Sequence, residues 1–145
     1  MPAPFEAATG FLLARLGSLA QRSWLDLLAD HALTPHQHAV LLVLRHRGPL
    51  GQQDLTRAIR VDPRNVVPVI DGLVALHLVD RAIDPHDRRR RLLSLTATGA
   101  TAADALAEGA SRIDRAFLRG LGADEKRQLN KLLQKLLASH DHQAP

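Results

Sequence analysis

Cysteine is absent from this chain, and aromatic residues make up only 3% of it. Without cysteine there are no disulfides, no thiol-based redox sensing and no cysteine zinc sites. No apolar run approaches the roughly 20 residues that a membrane span requires. The N-terminus lacks the basic start and small-residue cleavage site of a signal peptide, so a soluble cytoplasmic protein is expected. A Ser/His/Asp order, a phosphate loop and a dinucleotide fingerprint are missing too, and the acids are dispersed. An enzyme is therefore not expected, and neither is a cofactor. Eight histidines are present, but His36 and His38 would point about 200° apart on a helix. His140 and His142 fall on the tail, and no pair stands at the i, i+4 spacing that shares an ion, so no metal site is expected. The histidines are better explained as surface groups, with one or two lining a pocket.

The chain does have the means to build a core and an uneven charge. At 145 residues it is long enough for one domain with a buried interior. Its Ala, Leu and Val content favours helices. The formal net charge is +4, and all of it lies in the middle: Thr34 to Leu95 holds ten arginines against six acids. The flanking segments hold nine basic and nine acidic residues and are neutral together. Such a distribution fits a central part that faces nucleic acid and ends that face something else.

Hydrophobic periodicity gives a mainly α, α+β order. An amphipathic helix is expected from Phe5 to about Asp30, with Phe11, Leu12, Leu16, Leu19, Leu27 and Leu28 on its apolar side. Thr34-Pro35 is an N-cap followed by proline and opens a second helix, stopped by Gly48-Pro49 near Arg47. Its inward residues are Val40, Leu41 and Leu44. Gln52 to Ile59 reads as a short helix, and Asp62-Pro63 repeats the cap-plus-proline signal for a helix to about Leu76. Val79–Ile83 is a strand, Asp84–Arg91 a turn, and Leu92–Leu95 a second strand. Thr96 caps a small-residue helix to about Leu118, weakened by Gly109. A last helix runs from about Ala123 to Ser139, followed by a frayed tail from His140 to Pro145.

Helix, helix, helix and hairpin make a winged helix-turn-helix over residues 34–99. Residues 1–33 and 100–145 then form a helical dimerisation region, because their apolar stripes need covering and a twofold dimer covers them most simply. In such a fold the second helix enters the major groove by its N-terminal residues. Here those are Arg64, Asn65, Val67 and Pro68. Asn65 carries the donor–acceptor pair that matches adenine, and Arg64 suits guanine or a phosphate; a local cap contact is the competing role for Asn65. Pro68 removes one intrahelical bond, so a kink is expected there. On the hairpin, Arg88, Arg89, Arg90 and Arg91 suit a narrow minor groove or the phosphates beside it. Asp87 is expected to pair with a neighbouring arginine and orient the wing.

Asp84-Pro85-His86-Asp87-Arg88-Arg89, followed by Leu95-Thr96-Ala97-Thr98-Gly99, resembles the wing signature of MarR-type regulators. Leu33-Thr34-Pro35-His36-Gln37, Gly48-Pro49, Leu55, Ile70-Asp71-Gly72-Leu73 and Leu78-Val79-Asp80-Arg81 agree with it, and the likeness spans about Phe5 to Leu137. The resemblance implies a homodimeric winged-helix transcription factor, usually a repressor, on a pseudo-palindromic operator. It implies one reading helix per subunit in the major groove and Arg89 in the minor groove. It also implies a small aromatic or phenolic ligand that binds between dimerisation helices and reading domain and releases DNA. His77 stands where the family has glycine, and histidine tolerates the left-handed backbone better than most residues. Pro68 stands where many members carry a polar or basic residue. Peroxide-sensing members with proline there depend on cysteine, so thiol oxidation is not this chain's signal.

Trp24, His38 and Leu42 are the candidate ligand-binding residues, with core or dimer packing as the plainer role for Trp24. The rival to a ligand-released regulator is a weakly specific architectural DNA-binding protein that needs no ligand. The sequence leaves open the operator, the target genes, the sign of regulation and the effector.

Overall fold

The computed structural model, which describes residues 4–142, holds six α-helices and a small antiparallel sheet. A 3-10 turn at Pro4–Ala7 precedes α1 (Thr9–Asp30). The chain continues through α2 (Pro35–Arg47), β1 (Leu50–Gly51), α3 (Gln52–Ile59) and α4 (Pro63–Ala75). It then forms β2 (Val79–Asp84), β3 (Asp87–Leu95), α5 (Ala97–Phe117) and α6 (Ala123–Asp141). The arrangement is a winged helix. Among the described residues no helix is long and apolar enough to cross a membrane.

The helix starts follow from local chemistry. The Thr34 hydroxyl accepts from the Gln37 N–H (3.2 Å) while the Gln37 side chain accepts from the Thr34 N–H (3.1 Å). Two donors that a helix start leaves open are thereby satisfied. Asp62 does the same for α4, its carboxylate accepting from the Arg64 N–H at 2.9 Å. The first helix starts later than its apolar residues imply: Ala8 supplies no side-chain cap, and Phe5 to Ala7 form the 3-10 turn instead. α6 extends through His140 to Asp141 rather than fraying there; residues 143–145 of the expected tail lie outside the described residues.

The chain divides into two compact units, one ending at Ser111 and the other beginning at Arg112. The first holds the core: Leu28, Leu33, Val40, Leu41, Leu44, Leu55, Val66, Ile70, Leu73, Leu78, Val79, Leu93, Ala103 and Leu106. Every helix from α1 to α5 and both long strands contribute, so burial ties the elements into one interior. Gly109 takes part in this packing, since a Cβ there would lie 2.6 Å from the Leu27 side chain. In the second unit, α6 has Leu132, Leu133, Leu136 and Leu137 exposed. The first half of α1 is equally bare, with Phe11, Leu12, Leu13, Leu16 and Leu19 exposed.

Sheet order is β1-β3-β2, all antiparallel. Leu50 and Gly51 pair with Leu93 and Leu92, a third strand that sequence pattern did not reveal. The expected long turn over Asp84–Arg91 is corrected. The turn itself is Pro85-His86, closed by the His86 N–H donating to the Asp84 carboxylate at 2.9 Å. All four arginines lie on β3, where Arg91 pairs with Ile83. Pairing with β2 extends the strand beyond its apolar residues, and a charge run carries no alternation by which to see this.

Candidate nucleic-acid interface

The wing is fixed at its base by three residues of the Leu95-Thr96-Ala97-Thr98-Gly99 motif. Leu95 packs against the core. The Thr96 hydroxyl donates to the His77 carbonyl (2.6 Å) and accepts from the Gly99 N–H (2.9 Å), joining the end of α4's turn to the start of α5. Gly99 is required because a Cβ there would overlap the backbone carbonyl of Leu78. His77 itself sits in the left-handed region (φ 57°), closing α4 with its N–H on the Val74 carbonyl at 3.0 Å. The glycine-type turn survives with histidine in it.

On β3, Asp87 does not pair with a guanidinium as expected; its carboxylate accepts from the Arg89 backbone N–H at 3.0 Å. Arg90 has a partner 36 residues away: its Nη2 donates to the Asp54 carboxylate at 2.9 Å, and its guanidinium lies over Gly51. Asp54 also faces Arg57 at 3.5 Å. Arg90 therefore ties the wing to the first turn of α3. Among the described residues, Arg88, Arg89 and Arg91 are exposed and have no carboxylate partner.

The wing borders a cleft of about 490 Å³ between itself and the helices. Its lining is Arg89, Arg90 and Arg91 from β3, with Gln52, Gln53, Thr56, Arg57 and Pro63 from the starts of α3 and α4. The α3 residues were not legible as site residues. Their polar spacing along a short helix was the available signal, but only the fold brings them opposite the wing.

On α4 the core face is Val66, Ile70 and Leu73, and Arg64, Asn65, Val67, Pro68 and Asp71 are exposed. The helix runs without interruption through Pro68. Arg64 reaches back to Asp62 with both Nε (3.2 Å) and Nη2 (2.9 Å). That bond to the guanidinium, with the capping bond, holds the Asp62 carboxyl below its usual range. The Asn65 amide has no hydrogen bond within the described residues, so it makes no local cap contact. Arg81 on β2 donates to Asp71 at 2.6 Å, joining hairpin and α4.

Trp24 and His38 do meet. Their rings lie 5.0 Å apart between centroids with planes inclined by 54°. Leu42, half-buried, follows one helical turn after His38. The His38 Nε2 is buried without a hydrogen-bond partner, and burial pushes the imidazole below its ordinary pKa. A buried polar atom left without a partner costs about 1–3 kcal/mol.

Comparison with known proteins agrees with this geometry. The MarR family model matches residues 33–90, from the start of α2 into the wing. The transcriptional repressor NicR of Pseudomonas putida is 34% identical over 113 residues, spanning 78% of this chain and 72% of NicR. BpsR of Bordetella bronchiseptica, whose DNA binding is regulated by 6-hydroxynicotinic acid, superposes with a TM-score of 0.75 at 30% identity. That superposition covers 94% of this chain and 97% of BpsR. The Streptomyces coelicolor regulator PcaV, solved in complex with its natural ligand, gives 0.72 at 27% identity over 97% of this chain and 99% of PcaV. A winged helix with a cationic hairpin beside an exposed helix start, and these relatives along most of its length, make the chain a member of the MarR family, whose proteins are transcription regulators and not enzymes.

Proposed function

We propose that this chain is a homodimeric, sequence-specific repressor acting in the cytoplasm, released from a pseudo-palindromic operator by a small aromatic ligand. The observation that carries the DNA-binding part is the cleft itself. Two unpaired arginines, Arg89 and Arg91, and the exposed start of α4 border one concave surface, and among the described residues no carboxylate neutralises Arg88, Arg89 or Arg91. Arg89 serves as the minor-groove contact and Arg88 and Arg91 as phosphate contacts, while Asn65 reads a base edge in the major groove. Arg90 and Asp87 position the wing. The uncovered leucines of α1 and α6 support a dimerisation role for residues 1–33 and 100–145, with residues 34–99 reading DNA.

Trp24, His38 and Leu42 are the proposed effector contacts. A planar ring against Trp24, offering a hydroxyl or carboxyl to His38 Nε2, would satisfy the orphaned nitrogen. The regulation of BpsR by 6-hydroxynicotinic acid points to hydroxylated aromatic or heteroaromatic acids as the first compounds to try.

The test is selection of bound sequences from random DNA by the purified protein, repeated with 6-hydroxynicotinic acid and simple phenolic acids. An inverted repeat with half-sites about one helical turn apart is expected, with binding weakened by one of the acids. Binding without sequence preference would favour an architectural role instead.

A further inference from the structure

Arg64, Val67, Pro68 and Asp71 fall at three- and four-residue steps and share one exposed face of α4, turned away from Val66, Ile70 and Leu73. Both charged ends of that face are occupied within the chain. Arg64 is held by two bonds to Asp62, and Asp71 is held by Arg81. Between them stand Val67, 44% exposed, and Pro68, which has neither a side-chain donor nor a backbone N–H. The middle of the reading helix is thus an apolar ledge with nothing to offer a hydrogen-bonding base edge.

One group in the major groove matches such a ledge. Every base pair presents donors and acceptors there, but only thymine adds an apolar methyl at C5. The occupant is DNA because the cleft reaching Pro63, the first residue of α4, is bordered by the unpaired arginines of the wing. Asn65 lies one residue before Val66, on the adjoining exposed side, with an amide suited to adenine. An adenine read by Asn65 and a thymine read by Val67 would make an A/T-containing core in each half-site.

We infer that Val67 and Pro68 form an apolar contact with the C5-methyl group of a thymine in each half-site, making Val67 a determinant of operator specificity. The inference rests on the sequence-specific DNA-binding reading given above. Removing one methyl from a contact of this kind weakens binding about three- to fivefold, and about ten- to twentyfold when both half-sites are changed.

The test uses the full chain and the operator recovered by selection. Each thymine is replaced in turn, symmetrically in both half-sites, by deoxyuridine, and affinity is measured for the native protein and for Val67→Ser. Val67 is exposed, so the variant is expected to keep its fold, which a thermal melt checks. One thymine position is expected to lose about ten- to twentyfold on replacement in the native protein and to lose severalfold less in Val67→Ser, which keeps only the Pro68 contact. A second arm needs no variant: at that position dC is compared with 5-methyl-dC, and the methylated base is expected to bind more tightly. A selected operator with no deoxyuridine-sensitive position, or with equal sensitivity in Val67→Ser, would overturn this inference and leave the regulator reading intact. A 5-methyl-dC that binds no better than dC would overturn it as well. Failure to select any preferred sequence would overturn both.

Discussion

The middle of this chain and its two ends solve the problem of apolar surface in opposite ways. From α2 to β3 the core residues are closed off from water, and Leu41, Leu55, Ile70, Leu73 and Leu93 are wholly inaccessible. The outside there is largely polar and arginine-rich, with Val67, Leu76 and Ile83 as its exposed large apolar residues. In the first half of α1 and in most of α6 the leucines stay in water, and Leu137 is 64% exposed. A middle that is complete inside and cationic outside is built to meet a polyanion. Helices that keep uncovered apolar stripes are built to meet another apolar surface, here proposed to be a second copy of the chain.

Core truncation gives the largest contrast. Leu41→Ala is expected to lower unfolding free energy by about 2–5 kcal/mol, as a large aliphatic removed from a packed interior does. Leu137→Ala should leave monomer stability within about 0.5 kcal/mol and instead weaken self-association. Denaturant titration and sedimentation equilibrium on both variants check the pair. Equal loss of stability in the two would erase the distinction between middle and ends.

Gly99→Ala comes next, at about 3 kcal/mol, because the added carbon overlaps the Leu78 carbonyl and α5 must move away from the base of the wing. A thermal melt of this variant near that of the native protein would show that the motif's glycine is not required by packing. Arg89→Ala is expected to leave stability unchanged while lowering the salt slope of DNA binding by about one unit per contacting subunit. Titrations at several salt concentrations measure that slope, and an unchanged value would remove Arg89 from the contacts.

The smallest expected effect concerns His38. Burial lowers its pKa in the folded chain, whereas the unfolded chain keeps the ordinary value near 6.5. At high pH both states are neutral there. As pH falls below about 6.5 the unfolded state takes up the proton first, so stability is full above that pH and declines below it. Urea unfolding at pH 7.5 and 5.5 is expected to show a pH-dependent loss that His38→Gln reduces. A loss identical in the variant would assign the dependence to other groups.

The sequence made the helix starts and the wing's identity readable for physical reasons. Thr34-Pro35, Asp62-Pro63 and Thr96 are local signals, because a cap is made by neighbours one to three residues away. Contacts made across the fold were not readable. β1 is two residues long and exists only because Leu92 and Leu93 pair with it. Arg90 looked like any other member of its run until β3 brought it to Asp54, and Asp87 was expected to hold an arginine side chain but caps a backbone N–H. The pairing of Arg64 with Asp62, the cap residue two positions earlier, is likewise a detail of the folded helix start. Trp24 and His38 could be suspected together, but their separation and the orphaned nitrogen belong to the packing of α1 against α2.

The central claim is that α4 reads sequence while the wing supplies charge. Its most direct test is the affinity of Asn65→Ala for the selected operator and for random DNA of equal length, at one salt concentration. The expected result is a loss of about 1–3 kcal/mol on the operator with random DNA unchanged. An equal loss on both, or no loss on either, would contradict it.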